Sequence, residues 1–387
     1  MDTQNTPIHI RLWNRDFWFL AIANLMLTMA VYMQIIHYPL LMKSALMSQQ
    51  DIAWAMAAQG VGLFVLGAFC SFFVQKYRRN HVCEVAILIL AALLVVPILF
   101  EIDERVEPWM AVGIRFVSGT FFGLAQMILT STLVVDCTES FQRTEANYAA
   151  AWFGRLAVSL GPLVACVLTM TTDVKVSICV SAGLAVVAAA LIGMARFPFR
   201  APEDSIPCAS LDRFFMPEGW LLFVNLLLAT TAVGMIFSTA HDVIFYAMLM
   251  IGFFAALLAG KFIFVNAELK SETVAGLLSI GAALVIMLTR DVSSVAYITP
   301  VLIGLGAGLI GSRFLLFYIK LSRHCQRGTS QSSFFLAWET GVCLGLGLGC
   351  LMADKEAALQ TALILISLAL LLYVVFTHSW YMRHKNR

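Results

Sequence analysis

The sequence predicts an all-α membrane protein of twelve transmembrane helices, arranged as two pseudo-symmetric six-helix bundles. Three observations carry that prediction. Of 387 residues, 60% are apolar and 12% charged, with a mean hydropathy of +0.86. A soluble domain carries about 25% charged residues, so an ordinary water-facing surface cannot be built from this chain. Apolar runs long enough to cross a bilayer, about 20 residues each, recur twelve times between charged or turn residues. A polar, Pro-containing stretch at 197–216 divides these runs six and six.

In order, the spans are Phe17–Pro39, Ala53–Gln75, Val82–Phe100, Met110–Val135, Asn147–Met170 and Val176–Ala195, then Trp220–Ala240, Val243–Val265, Thr273–Leu288, Val292–Ile319, Ser333–Met352 and Ala357–Thr377. The first follows Asn14-Arg15-Asp16 and is too long for a cleaved signal segment, so it remains as a helix. The second and third are separated by Lys76-Tyr-Arg78-Arg79, the third and fourth by acidic residues from Glu101 to Glu107, and the fourth and fifth by Asp136 to Glu145. Asp173 and Lys175 precede the sixth. In the second set the breaks fall at His241-Asp242, Glu268 to Glu272, Arg290-Asp291, Lys320 to Arg327 and Asp354-Lys355. The ninth span is the shortest.

Composition also excludes several classes. The net charge of +2 and the lack of a long basic run give no footing for nucleic acid. Nine scattered cysteines without C-x-x-C spacing build neither a disulfide framework nor a zinc site, and no metal or other cofactor is expected.

Orientation follows from the short loops. With the N-terminus inside, sixteen Lys and Arg, from Arg11 and Arg15 through Arg200 to Arg387, lie on the inner side; Lys43, Arg105, Lys175, Arg290 and Lys355 lie outside. The rule that basic loops stay in the cytoplasm then places both termini there. Short loops and the lack of a targeting segment suit a bacterial inner membrane.

The two halves carry traces of a duplication. Ala151-Trp152 in span five corresponds to Ala337-Trp338 in span eleven, with Gly161 then opposite Gly347. Trp18 precedes Asn24 in span one much as Trp220 precedes Asn225 in span seven. Such a parallel repeat, related by an axis along the membrane normal, is a known transporter architecture.

These features, with both ends inside, resemble the major facilitator superfamily over the whole chain. The loop after span two, Ser71-Phe-Phe-Val-Gln75-Lys76-Tyr-Arg78-Arg79-Asn80, is similar to the family's G-x-x-x-D-R-x-G-R-K gating loop. Lys76 and Arg79 match; Gln75 stands where the family has the Asp that latches the outward-facing state, so the latch must be weaker or built differently. Arg115-Phe-Val-Ser-Gly119 in span four is similar to the R-x-x-q-G motif, whose Arg is implicated in proton coupling. Gly161-Pro162 resembles the heart of the antiporter motif, although Ala157, Ala165 and Cys166 replace glycines around it. The resemblance implies a secondary transporter that one chain can complete as a monomer.

Ionisable groups inside lipid are costly, about 2.5–3.5 kcal/mol at a helix centre on insertion scales, so each needs a partner, a wet cavity or a route to the headgroups. Arg115 lies about five residues, roughly 8 Å, inside the outer edge of span four; it is either a proton-coupling or substrate contact, or an arginine snorkelling to carbonyls. Glu339 lies about six residues, roughly 9 Å, into span eleven, the single carboxylate found deep within a span. Burial favours the neutral form of a carboxyl, as a proton carrier requires. Arg155 sits at similar depth in the pseudo-equivalent span five. The two could pair across a cavity, but a permanent pair would hold the carboxylate ionised, so pairing and proton carriage compete unless the pair opens. Asn24, Gln34, Gln126 and Asn225 are candidates to line the cavity, with interhelical hydrogen bonding as the alternative. Arg115 and Gln126, eleven residues apart, share a helix face. Arg313 and Lys261 can snorkel, and His37 and His241 lie near outer ends within reach of water.

The chain contains no G-x-x-x-x-G-K-[ST] segment, so the energy source is an ion or solute gradient. The expected activity is alternating-access transport of a small molecule, by proton-coupled efflux, with proton symport as the uptake alternative. A polytopic enzyme or sensor on the same scaffold is the competing class; it lacks support, since no H-E-x-x-H or G-x-S-x-G with a plausible partner set occurs.

Overall fold

The computed structural model describes residues 12–101, 107–139, 141–197, 206–264, 268–323, 326–352 and 354–385. Arg11, Arg105, Arg200 and Arg387, the expected end of span eight at Val265 and residues 198–205 of the central loop lie outside these. Twelve helices among the described residues are long and apolar enough to cross a membrane: α1 (Arg15–Ser44), α2 (Gln49–Lys76), α3 (Arg79–Ile98), α4 (Pro108–Asp136), α5 (Arg143–Thr171), α6 (Val174–Met194), α7 (Pro217–Thr239), α8 (Val243–Phe262), α9 (Leu269–Thr289), α10 (Val295–Leu321), α11 (Arg327–Leu351) and α12 (Lys355–His384). No strand occurs among the described residues. The chain is an integral, multi-pass membrane protein.

Local chemistry starts several of these helices. Asn14 caps α1 by accepting the Phe17 N–H at 2.9 Å, and Ser48 with Asp51 forms a reciprocal capping box at the start of α2. Asp173 and Asp354 cap α6 and α12. Several helices overrun the hydropathy-based spans because their first turns are polar. α11 begins at Arg327, before the run Thr329-Ser-Gln-Ser-Ser333, and α9 begins at Leu269. α1 continues through Pro39 to Ser44, as membrane helices allow when neighbours compensate for the missing N–H. His37 is thereby carried inside: it is fully buried and its Nε2 lies 2.6 Å from Ser177 Oγ on α6, which corrects its expected place at the water interface.

The packing pattern repeats between halves. In the first six helices α1 packs on α5 and α6, α2 on α4, and α3 on α4 and α6; in the last six α7 packs on α11 and α12, α8 on α10, and α9 on α10 and α12. The halves meet where α2 packs on α11 and α5 on α8, which are also pseudo-equivalent contacts. Glycine permits the closest approaches: a Cβ at Gly119 would strike the Gln59 carbonyl of α2, and one at Gly304 the Leu249 carbonyl of α8. Gly345 stands in the same way against Thr231 on α7. α1, α4, α7, α10 and α11 are the most buried helices.

The basic residues Arg15, Lys76, Arg79, Arg143, Arg213, Lys320 and Arg383 mark one end of the bundle, the basic face, and Lys43, Lys175, Arg290 and Lys355 mark the opposite face. Two helices loosen into a π turn, Leu129–Leu133 in α4 and Tyr373–Thr377 in α12. Such turns are frequent at functional sites, and the first of them borders the central pocket.

Candidate functional site

A pocket of about 50 Å³ lies between the halves, extending from the midpoint of α11 towards the basic face. The first half contributes Asn24 and Thr28 (α1), Gln126 and Thr130 (α4) and Arg155 (α5); the second contributes Gln331, Phe334, Phe335, Trp338 and Glu339, all on α11. Glu339 is the midpoint of α11, twelve residues from either end, about 18 Å at 1.5 Å per residue. It is buried and accepts a hydrogen bond from Tyr32 Oη on α1 at 3.1 Å. The same hydroxyl accepts from Trp338 Nε1 at 3.3 Å, so Tyr32 bridges the two halves at the pocket wall.

Arg155 lines the pocket as well, yet no salt bridge joins it to Glu339 among the described residues. Its Nη1 donates to Ser312 Oγ on α10 at 2.8 Å, and its guanidinium lies over Trp152 at 4.8 Å and Phe334 at 5.9 Å. Nε and Nη2 are buried without hydrogen-bond partners. The two groups that the repeat placed at equal depth therefore share a cavity with separate partners. The pocket amides are tied only in part: Gln126 Nε2 donates to Asn24 Oδ1 at 2.6 Å and Asn24 Nδ2 donates to the Ala150 carbonyl at 2.8 Å, but the Oε1 atoms of Gln126 and Gln331 are unpaired.

The other sequence candidates lie elsewhere. Gln34 donates to Ser181 Oγ on α6 at 3.1 Å, and Asn225 donates to the Ala369 carbonyl on α12 at 2.9 Å. Both serve helix contacts outside the central pocket, because Gln34 is ten residues from Asn24 and faces another side of α1, while Asn225 is turned towards the twelfth helix. Arg115 does not line the pocket. It is buried between Tyr38, whose ring its guanidinium faces at 4.9 Å, and Met56 Sδ, 3.9 Å from Nη2. Met56 also lines a second cavity, of about 170 Å³, at the opposite face with Lys43, His241, Asp354 and Lys355.

One acidic residue was hidden. Glu272 is buried in the first turn of α9 and pairs with Arg313 of α10. Glu339 is thus not the single buried carboxylate, although Glu272 lies in a first turn and not deep within a span, and Arg313 is an ion-pair partner where snorkelling was expected. Hydropathy had begun the span one residue after Glu272.

A sequence model described as Major Facilitator Superfamily matches residues 20–348. The chain belongs to that superfamily. It is a secondary transporter of small molecules and not an enzyme. Among curated proteins none matches the chain in sequence. Among solved structures, a mutant of the nucleoside transporter NupG is similar at a TM-score of 0.65 and 11% identity, covering 94% of this chain and 99% of that one. A bacterial homologue of the iron transporter ferroportin in an outward-facing state is similar at 0.65 and 14%, covering 97% of this chain and 100% of that one. The same homologue with soaked iron gives 0.62 and 13%, covering 94% and 98%. At these identities the likeness establishes the fold.

In this facilitator-superfamily chain the segment from Ser71 to Asn80, similar to the family's gating loop, departs from the family pattern. Gln75 is half-buried and makes no hydrogen bond among the described residues, and Lys76 is exposed with its ammonium 5.0 Å from the Phe72 ring. Arg79 pairs with Asp136 at 2.7 Å, joining the start of α3 to the end of α4. A carboxylate arrives from the central loop instead: Asp212 accepts from Ser71 Oγ on α2 at 3.2 Å and from Thr329 Oγ1 on α11 at 3.3 Å. Its neighbour Arg213, in the left-handed region at φ 58°, donates through N to Thr329 Oγ1 and through Nη1 to Thr132 Oγ1. Sequence reasoning missed this clasp, as it missed Gln331; the polar run opening α11 was the available signal. Phe122 on α4 packs edge-on against the pocket residue Phe335 at 5.5 Å. In the antiporter-like segment, Gly161 lets α5 approach α1 at Met29 and Tyr32, with Pro162 following it within α5.

Proposed function

We propose that this chain is a proton-coupled secondary transporter in which Glu339 carries the proton. It works as a monomer in a bacterial inner membrane, with the basic face and both termini in the cytoplasm, as the excess of Lys and Arg there supports. The observation that carries the reading is the placement of Glu339: a buried carboxyl at the midpoint of α11, in a pocket shared by both halves, bonded to Tyr32 of the other half and unpaired with any cation among the described residues. An ionised Glu339 accepts the Tyr32 hydroxyl through a charge-assisted bond, roughly twice as strong as the neutral one. Proton binding therefore loosens a tie between the halves, which links protonation to rocking. Asp212 acts as the latch at the basic face, in place of the carboxylate missing at Gln75.

Export in exchange for protons is the first direction, supported by the Gly161-Pro162 segment and its contact with Tyr32. Uptake with protons is the second, favoured by the unpaired Arg155, since an anion bound there strengthens proton binding at Glu339 rather than displacing the proton. Metabolite profiling of a deletion strain supplies the cargo. Flux of that cargo into proteoliposomes with an imposed pH gradient then separates exchange from co-transport. Cargo movement unaffected by any proton gradient would refute the coupling.

A further inference from the structure

The membrane interior of this protein is short of negative charge. Among the described residues of the spans, three buried or half-buried arginines, Arg115, Arg155 and Arg313, face two buried carboxylates, and Glu272 is already taken by Arg313. Only one of the two remaining arginines lines the central pocket. A buried arginine keeps its charge, and leaving its donors unmet is unfavourable. Arg155 is 4% exposed and meets one hydroxyl and two aromatic faces, with Nε and Nη2 unbonded. An arginine fork presents donors in the geometry that a carboxylate accepts. The other pocket walls are the flat faces of Phe334, Phe335 and Trp338, with the unpaired amide oxygens of Gln126 and Gln331 between them. As it stands the pocket has room for only a few waters, so a cargo with a flat body occupies it only once it has widened as the halves rock.

We infer that the central pocket binds a small organic anion with a flat apolar body, its carboxylate on Arg155, together with one proton on Glu339. The inference rests on the proton-coupled reading above and selects its co-transport form. With Arg155 neutralised by the anion, an ionised Glu339 would be a second negative charge in a desolvated site, so anion and proton favour each other's binding, and by linkage the effect is reciprocal. The titratable or charged groups around Glu339 are Tyr32 from α1, Arg155 from α5 and Cys343 one turn along α11, with Arg115 of α4 beyond Cys343. α7 between Trp220 and Thr239, and α2 between Ile52 and Phe69, carry none but bring small and polar residues. The proton therefore has one acidic destination in the pocket.

The test is binding of three isosteres, benzoate, benzamide and benzylammonium, to the purified full chain at pH 6 and pH 8, read by thermal shift and by tryptophan fluorescence. Benzoate is expected to bind in preference to the other two and more tightly at pH 6. Arg155→Gln should weaken benzoate binding roughly tenfold or more, as for a lost hydrogen-bonded charge, and Arg155→Lys should restore part of it. Glu339→Gln should bind benzoate with the same affinity at pH 6 and at pH 8. Benzylammonium or benzamide binding as well as benzoate, benzoate failing to bind at millimolar concentration, or Arg155→Gln binding it like the wild type would each overturn the inference. The isostere series on the wild type needs no variant to fold. If benzylammonium wins, the anion falls while proton coupling stands. If benzoate binds through Arg155 but proton-driven transport survives Glu339→Gln, the functional reading falls instead.

Discussion

Removing the Asp212 carboxylate should open the basic face. Asp212 holds α2 through Ser71 and α11 through Thr329, at 3.2 and 3.3 Å, and its side chain is half-exposed. Hydrogen bonds to a charged group contribute about 1.5–3 kcal/mol when buried. Exposure to water and bond lengths at the long end reduce that, so the two together contribute about 1–3 kcal/mol to the closed arrangement, a factor of roughly 5–150 in its population. Asp212→Ala should shift the closed-to-open equilibrium by that factor. Electron–electron resonance distances between spin labels at Arg78→Cys and Arg323→Cys, both exposed at the basic face, would read it in a background without other cysteines. The variant should show a second, longer distance, or more of one present in the parent. An unchanged distribution would mean that the central loop merely rests on the helices and that closure comes from apolar contacts such as Phe122 with Phe335.

Other outcomes follow from the same contacts. Tyr32→Phe removes the hydroxyl between Trp338 and Glu339 and should destabilise the protein by about 1–3 kcal/mol, the usual effect of leaving a buried polar group unmet; a thermal melt in detergent checks it, and an unchanged midpoint contradicts it. Arg313→Met alone should be strongly destabilising, by about 3–5 kcal/mol, because it strands Glu272, whereas Arg313→Met with Glu272→Leu should recover most of the loss; equal effects of the single and double changes would show that the pair does not act as a unit. Gly345→Val places a side chain against the Thr231 carbonyl and should lower the melting midpoint through overpacking of about 1–3 kcal/mol, with a wild-type midpoint as the contrary result.

Much of the architecture was legible because the bilayer imposes a simple rule on helix length and polarity. The number of helices could be read from hydropathy, whereas their ends could not. The opening turns of α9 and α11 are polar yet helical, and this displaced Glu272 outside the span and made Glu339 look shallower than the middle of its helix. The repeat that pairs Trp152 with Trp338 also brought Arg155 and Glu339 to one pocket. What it could not supply was their partners, because Ser312 and Tyr32 come from helices distant in sequence. The repeat also misled at Asn225: Asn24 reaches α5 beside the pocket, but Asn225 reaches α12. The carboxylate at the basic face was legible only as a gap, a Gln at position 75, since Asp212 arrives through a loop whose course no periodicity describes.

If protonation of Glu339 is coupled to transport, removing its carboxyl should separate two activities of the same site. Wild type and Glu339→Gln are reconstituted in proteoliposomes, and accumulation driven by a pH gradient is measured beside cargo exchange at equal pH. Glu339→Gln should lose gradient-driven accumulation and retain exchange, because the site still binds cargo but no longer takes up and releases a proton. Full gradient-driven accumulation by the variant would contradict the coupling.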